Sequence, residues 1–288
     1  MKILRYQEKS GVKLGAVKGE GIVELTRHFS FLHRNTIELI SRWPELKRDA
    51  ERIVSESVPD VDLKDVHVLA PVERPGKVMA IGLNYADHIK EGGQEPPRHQ
   101  VWFTKAVTAI NGPFDPIELP IASAMIDYEA ELVVVIGKRC RHVPKERAGD
   151  VVFGYCAGND VSVRDWQLRT TQWALGKSFD THAPIGPWIV TADELGNPHT
   201  MGIRCLVNGE RRQNSNTENL VFNVYEQIAH LTQAMTLEPG DLIFTGTPGG
   251  VGAAMKPAKF LKAGDRVRVE IDRIGTIEAE MRPERAAL

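Results

Sequence analysis

Residues 127–137, DYEAELVVVIG, set two carboxylates, Glu129 and Glu131, directly ahead of the run Leu132, Val133, Val134, Val135 and Ile136. β-branched residues dominate that run and Gly137 ends it, which predicts a buried strand and not a helix. Side chains two apart on a strand share a face, so both glutamates lie on the side that carries Val133 and Val135. Two like charges in an interior strand are costly unless something neutralises them.

The flanking pattern repeats the strand signal. VWFTK, VVFGYCAG, PWIVT, IRCLVNGE, DLIFTGTP, RVRVEI and TIEAEM are short strand-like pieces separated by Gly, Pro, Asn and Asp. They predict an α+β, β-rich body of sandwich or roll type and argue against a doubly wound sheet. One amphipathic helix interrupts them: Val221, Val224, Ile228, Leu231 and Met235 recur at three and four residues, and EPGD at 238–241 turns the chain into the next strand. Ahead of this body, strand-like KILRY, VKLGAVKG and GIVELT precede helical TIELISRW and ELKRDAERIVSE. The expected division is a small amino-terminal α+β domain, 1–70, and a second domain, 71–288.

The chain has 288 residues, 42% of them hydrophobic, and 36 Lys+Arg against 38 Asp+Glu give a net charge of −2. That balance carries no nucleic-acid footprint. No stretch reaches the ~20 apolar residues of a membrane span, and MKILRYQEK lacks an apolar signal core. Cys140, Cys156 and Cys205 form neither a disulfide framework nor a zinc spacing, and a reducing cytoplasm is the expected location.

Two glutamates on one strand face, with Cα atoms roughly 6.6 Å apart, can converge on one ion, and Asp160, just past VVFGYCAG, offers a third carboxylate. Oxygen-only ligands favour Mg²⁺ or Mn²⁺, with Ca²⁺ as a substitute. By spacing alone, an ion pair for one glutamate and solvent for the other is equally open.

Six stretches in order, IGLNYADHIKE (81–91), DYEAELVVVIGK (127–138), GYCAGNDVSVRDWQ (154–167), LGKSFDTHAPIGP (175–187), VNGERRQ (207–213) and LEPGDLIFTGTPGGVG (237–252), together resemble the fumarylacetoacetate hydrolase family over about residues 75–280. The similarity is greatest to its smaller domain-containing members. The resemblance implies that Glu129, Glu131 and Asp160 bind one divalent cation per subunit, Mg²⁺ or Mn²⁺, in a β-rich roll that forms a homodimer. It makes His88 and Glu91 the dyad that activates water or moves protons. It sets Lys177 beside the developing oxyanion and Lys105, Arg164, Gln167 and Thr247 on the substrate. The further upstream aspartate of the founding hydrolase is replaced here by Ile81, which argues against fumarylacetoacetate itself. EGGQEPPRHQ, 91–100, is the expected lid. Asp180 and His182 are expected to be structural, and Asp165 has no assigned role.

The chemistry implied is hydrolysis of a C–C bond in an acylpyruvate-like 2,4-dioxo acid through an enolate held at the metal. Oxaloacetate decarboxylation, oxaloacetate keto–enol tautomerisation, and isomerisation or decarboxylation in aromatic-ring catabolism use the same intermediate and stand as alternatives. A non-enzymatic scaffold is disfavoured because ligands and dyad are all present.

Overall fold

The computed structural model describes residues 1–32, 35–93 and 95–285. The 127–137 stretch is the centre of the architecture. Ala130–Ile136 is a strand with every residue buried. It pairs antiparallel with Val152–Asn159 on one side and with Leu242–Phe244 on the other. Its alternation assigns the layers. Leu132, Val134 and Ile136 pack in one core with Ile203, Cys205, Val267, Val269 and Ile277. Val133 and Val135 pack in the other with Cys156, Phe244 and Ile3. The period of two seen in the sequence thus divides two hydrophobic layers.

Among the described residues the large sheet has twelve strands. It runs from the amino-terminal hairpins through Ala183–Thr191, Val152–Asn159 and Ala130–Ile136 to Leu242–Phe244, Val78–Gly82 and Val101–Thr104. Most pairings are antiparallel, but Leu242–Phe244 lies parallel to Val78–Gly82. A five-stranded sheet, which contains Gly202–Val207, Glu210–Asn216, Arg266–Ile271 and Gly275–Pro283, covers the Leu132 face. The result is an α+β, strand-rich fold of two packed sheets.

The opening strand, Lys2–Glu8, is part of the large sheet: Lys2 lies opposite Val190 and Ile3 opposite Ile189. Leu14, Leu39 and Ile40 share a core with Val133, Val135 and Phe244. Residues 70–77 form neither helix nor strand, and the strands before them extend the sheet that carries the site.

The expected amphipathic helix spans Val224–Ala234, beginning after Val221 and ending before Met235. Asn223 caps it and Glu226 closes a reciprocal capping box, which satisfies amide groups the first turn leaves unpaired. Strand Glu210–Asn216 is largely polar and shows no alternation. It forms because Asn208 and Gly209, both at positive φ, make a two-residue hairpin turn back from Gly202–Val207.

Candidate active site

Four elements meet at one end of the Ala130–Ile136 strand. Glu129 and Glu131 flank Ala130 at its start. Asp160 follows directly on Val152–Asn159, and its amide donates to the Glu129 carbonyl at 2.9 Å. The two-residue offset within one strand and the antiparallel register of the next bring the three carboxylates together. One oxygen from each lies within 4.8 Å of the others, and all three residues are buried.

Most of this negative charge is matched by buried cations. Lys177 Nζ lies 2.6 Å from Glu129 Oε2 and 2.7 Å from Asp160 Oδ2. Lys105 Nζ contacts Asp160 Oδ1 at 2.5 Å, and Arg164 Nη1 lies 2.7 Å from Glu129 Oε1. Glu131 differs. Its Oε2 accepts the Gly246 amide at 2.7 Å, and no ion pair reaches it among the described residues. Burial disfavours ionisation at Glu129, yet Lys177 and then Arg164 hold its carboxyl below the usual range. Burial, Asp160 and Glu129 together push Glu131 well above that range. A carboxylate so placed either keeps a proton or shares a cation with its two neighbours.

The Gly-rich segment 246–253 presents amides to three carboxylates. Gly246 donates to Glu131, Gly250 to Glu91 at 2.9 Å, and Gly252 and Ala253 to the two oxygens of Asp127 at 2.7 and 2.9 Å. Gly246 stands at φ +101, and a Cβ there would lie 2.8 Å from the Asn84 side chain, so only glycine fits. Fully buried Asn84 braces this junction: its Nδ2 donates to the Thr245 and Phe222 carbonyls, and its Oδ1 accepts the Phe222 amide.

Most of the residues expected from the sequence gather at one cavity. A cavity of about 320 Å³ is lined by Glu129, Glu131, Lys177, Arg164, Gln167, His88 and Thr247. Gln167 accepts from Arg164 Nη1 at 2.9 Å. His88 and Glu91 lie on helix Ala86–Glu91, with Nδ1 3.8 Å from the Glu91 carboxylate. That is an ion-pair distance, too long for a hydrogen bond. Lys105 does not line the cavity; its ammonium is sealed behind Asp160. Thr247 Oγ1 donates to the Ala130 carbonyl and accepts from Gln213 Nε2, so in this state its proton is committed to the strand. The expected lid, 91–100, includes Gln94, which lies outside the described residues.

Asp127 was not singled out by sequence reasoning. Fully buried, it takes the Arg164 fork, Nε at 2.9 Å and Nη2 at 2.8 Å, together with the Gly252 and Ala253 amides. Its only signal was a third acid beside the two glutamates in DYEAE. Asp165 accepts from Ser123 Oγ at 2.6 Å. His182 is buried with its Nε2 2.8 Å from the Glu118 carbonyl.

No helix among the described residues is long and apolar enough to cross a membrane. Residues 77–282 match the model of the fumarylacetoacetate (FAA) hydrolase C-terminal family. The mitochondrial oxaloacetate tautomerase of Rattus norvegicus is 41% identical over 282 residues, covering 96% of this chain and 90% of that protein. The fumarylacetoacetate hydrolase of Exiguobacterium antarcticum superposes with a TM-score of 0.84 at 36% identity, covering 99% of this chain and 100% of the other. The maleylpyruvate hydrolase of Sphingobium sp. SYK-6, solved with manganese(II) and pyruvate, gives 0.84 at 33% identity with the same coverage. From its sequence match and its fold, the chain belongs to the fumarylacetoacetate hydrolase family.

Proposed function

We propose that this protein is a divalent-cation-dependent hydrolase that cleaves the C3–C4 bond of an acylpyruvate-like 2,4-dioxo acid. The observation that carries the reading is Glu131. It is a buried carboxylate beside Glu129 and Asp160, yet Lys177, Lys105 and Arg164 all pair with the other two. The donor set fits a hard cation: three converging oxygen ligands and no soft atom. Glu129, Glu131 and Asp160 would hold it, in keeping with manganese in the Sphingobium hydrolase. Bound there, Mg²⁺ or Mn²⁺ supplies Lewis-acid polarisation of a 2-oxo acid's keto oxygen.

The chain's own groups account for the remaining steps. His88, with the Glu91 carboxylate 3.8 Å away as its counter-charge, takes a proton from the water that adds to C4. The C3–C4 electron pair moves onto the pyruvate fragment, and the Lys177 ammonium stabilises the oxyanion that develops there. The proton returns at C3, giving pyruvate and a carboxylic acid. Arg164, gripped by Asp127, holds its guanidinium at the cavity wall with little freedom to reorient.

A second reading is keto–enol tautomerisation of oxaloacetate, favoured by the rat relative. It requires only that His88 move a proton at C3, without water addition. A homodimer in the cytoplasm completes the proposal. The deciding test is turnover of acetylpyruvate and oxaloacetate with Mn²⁺, with and without chelator, scored by pyruvate release, CO₂ release and enol decay. Chelator-sensitive pyruvate release from acetylpyruvate is expected. Enol decay of oxaloacetate without that cleavage would replace hydrolase by tautomerase. No turnover of either, with no Mn²⁺ bound, would remove both readings.

A further inference from the structure

The catalytic reading uses only one side of the cavity. Beside the charged cluster, the lining turns apolar. The Lys177 ammonium stands 4.9 Å from the centre of the Phe103 ring, and that ring packs on Trp173 with centroids 5.6 Å apart at 58°. Trp173 in turn lies against the Gly82 backbone so closely that a Cβ at Gly82 would be 2.2 Å from the indole. Leu83 and Leu168 also line the cavity. An aromatic surface therefore begins immediately beside Lys177 and leads away from the carboxylates.

We infer that Phe103 and Trp173 are specificity-determining residues, and that the substrate is a 2-oxo acid with a planar apolar group, aryl or conjugated alkenyl, beyond C4. The inference rests on the site acting on 2-oxo acids and extends it to the far end of the substrate. Charge placement supports it. The cations lining the cavity, Arg164 and Lys177, are paired with Asp127, Glu129 and Asp160, so they serve one end of a substrate only. A second carboxylate close to the first, as in oxaloacetate, would lose hydration against aromatic carbon. A planar group gains offset or edge-to-face contact with the same two rings. The cavity's 320 Å³ falls within the ~300–1,000 Å³ of sites that enclose larger ligands. The missing side chain at Gly82 makes the room that the indole occupies in the wall.

Benzoylpyruvate, acetylpyruvate and oxaloacetate with Mn²⁺ are the turnover probes. The planar, non-cleavable (E)-2-oxo-4-phenylbut-3-enoate and plain 2-oxobutanoate are the binding probes, measured by calorimetry. The wild-type protein should favour benzoylpyruvate over acetylpyruvate in kcat/KM and bind the phenyl compound about tenfold or more tightly than 2-oxobutanoate. Trp173→Ala should lower kcat/KM for benzoylpyruvate by about 10–100-fold, mainly through KM, and for acetylpyruvate far less. Trp173→Phe should keep most of the preference. Gly82→Ala, whose methyl displaces the indole, should act like Trp173→Ala without removing a ring. Equal losses on both substrates, equal binding of both probes, or higher kcat/KM on oxaloacetate than on benzoylpyruvate would overturn the inference. Absence of turnover with retained, Trp173-dependent preference for the phenyl probe would remove the hydrolase reading and leave the aromatic wall standing.

Discussion

Two of the molecule's cavities differ in volume, and the larger one holds less chemistry. A groove of about 920 Å³ runs between the amino-terminal strands and the second sheet, lined by Leu63, Val66, Val68, Phe114, Pro187 and Trp188. The smaller cavity, near 320 Å³, is bordered by five ionisable side chains, Glu129, Glu131, Arg164, Lys177 and His88. Volume follows from how two sheet edges meet. Chemistry follows from where buried charges are forced together, because neighbouring like charges shift acidities and favour a bound cation. In the groove, Glu20 and Asp62 line the wall, and among the described residues no group of three acids converges there.

The sharpest way to break this comparison is Glu131→Gln, which keeps the shape and removes one charge. Mn²⁺ binding should be lost and turnover should fall by about 10³-fold or more, as expected for removing several kcal/mol of charge stabilisation. A variant that binds Mn²⁺ as tightly as the parent would show that the three oxygens do not form a cation site. Lys177→Met ranks next, with an expected loss of about 10²–10³-fold in kcat. Wild-type kcat in that variant would move the oxyanion role elsewhere. His88→Ala should leave Mn²⁺ binding intact and slow hydrolysis by about 10²–10⁴-fold, a split that separates proton transfer from ligation.

These residues were legible in the sequence for unequal reasons. Glu129, Glu131 and Asp160 stood out because a strand's period of two fixes the first pair and the next strand's end supplies the third. His88 and Glu91 are local neighbours on one helix. The burial of Lys105 against Asp160, 55 residues away, has no local signal, because VWFTK reads only as a strand running into a lysine. Thr247 lines the cavity, and the bond of its hydroxyl to Ala130, more than a hundred residues earlier, has no local signal. Asp127 went unweighed because its partners, Arg164, Gly252 and Ala253, gather only in the folded chain. The contact between Phe103 and Trp173 has no local signature either. The fold itself followed from alternation, except for the polar strand Glu210–Asn216, which is specified by its turn and not by its side chains.

His182, which lines a separate small cavity with Glu118 and Asp180, gives a stability test. Burial holds its imidazole down at about 4 from an ordinary 6.5, against a smaller opposing effect of the Glu118 carbonyl. The unfolded chain therefore binds the proton first as pH falls from 6.5 to 4, and stability drops through that window while remaining full above it. The contribution is on the order of 3 kcal/mol. His182→Asn should flatten the difference in unfolding free energy between pH 7 and pH 4 by about that amount. An unchanged difference would mean that the imidazole is protonated in the native protein.

The smallest expected effect lies in the larger cavity. Trp188 forms part of the groove wall, donates its indole N–H to the Ile274 carbonyl at 2.7 Å, and has the Lys2 ammonium 5.1 Å from its ring. It packs against Leu4, Tyr6, Ile22 and Val68 and also reaches the edge of the core that holds Leu132 and Val134. Trp188→Ala removes packing and a hydrogen bond but touches no group that could bind a cation or move a proton. Thermal stability should fall, while kcat/KM per folded molecule on acetylpyruvate should change by less than about twofold, because Trp188 lines the groove and bonds Ile274, not a residue of the small cavity. A tenfold loss with the fold intact would connect the groove to the reaction, and the division between a volume set by packing and a site set by charge would fail.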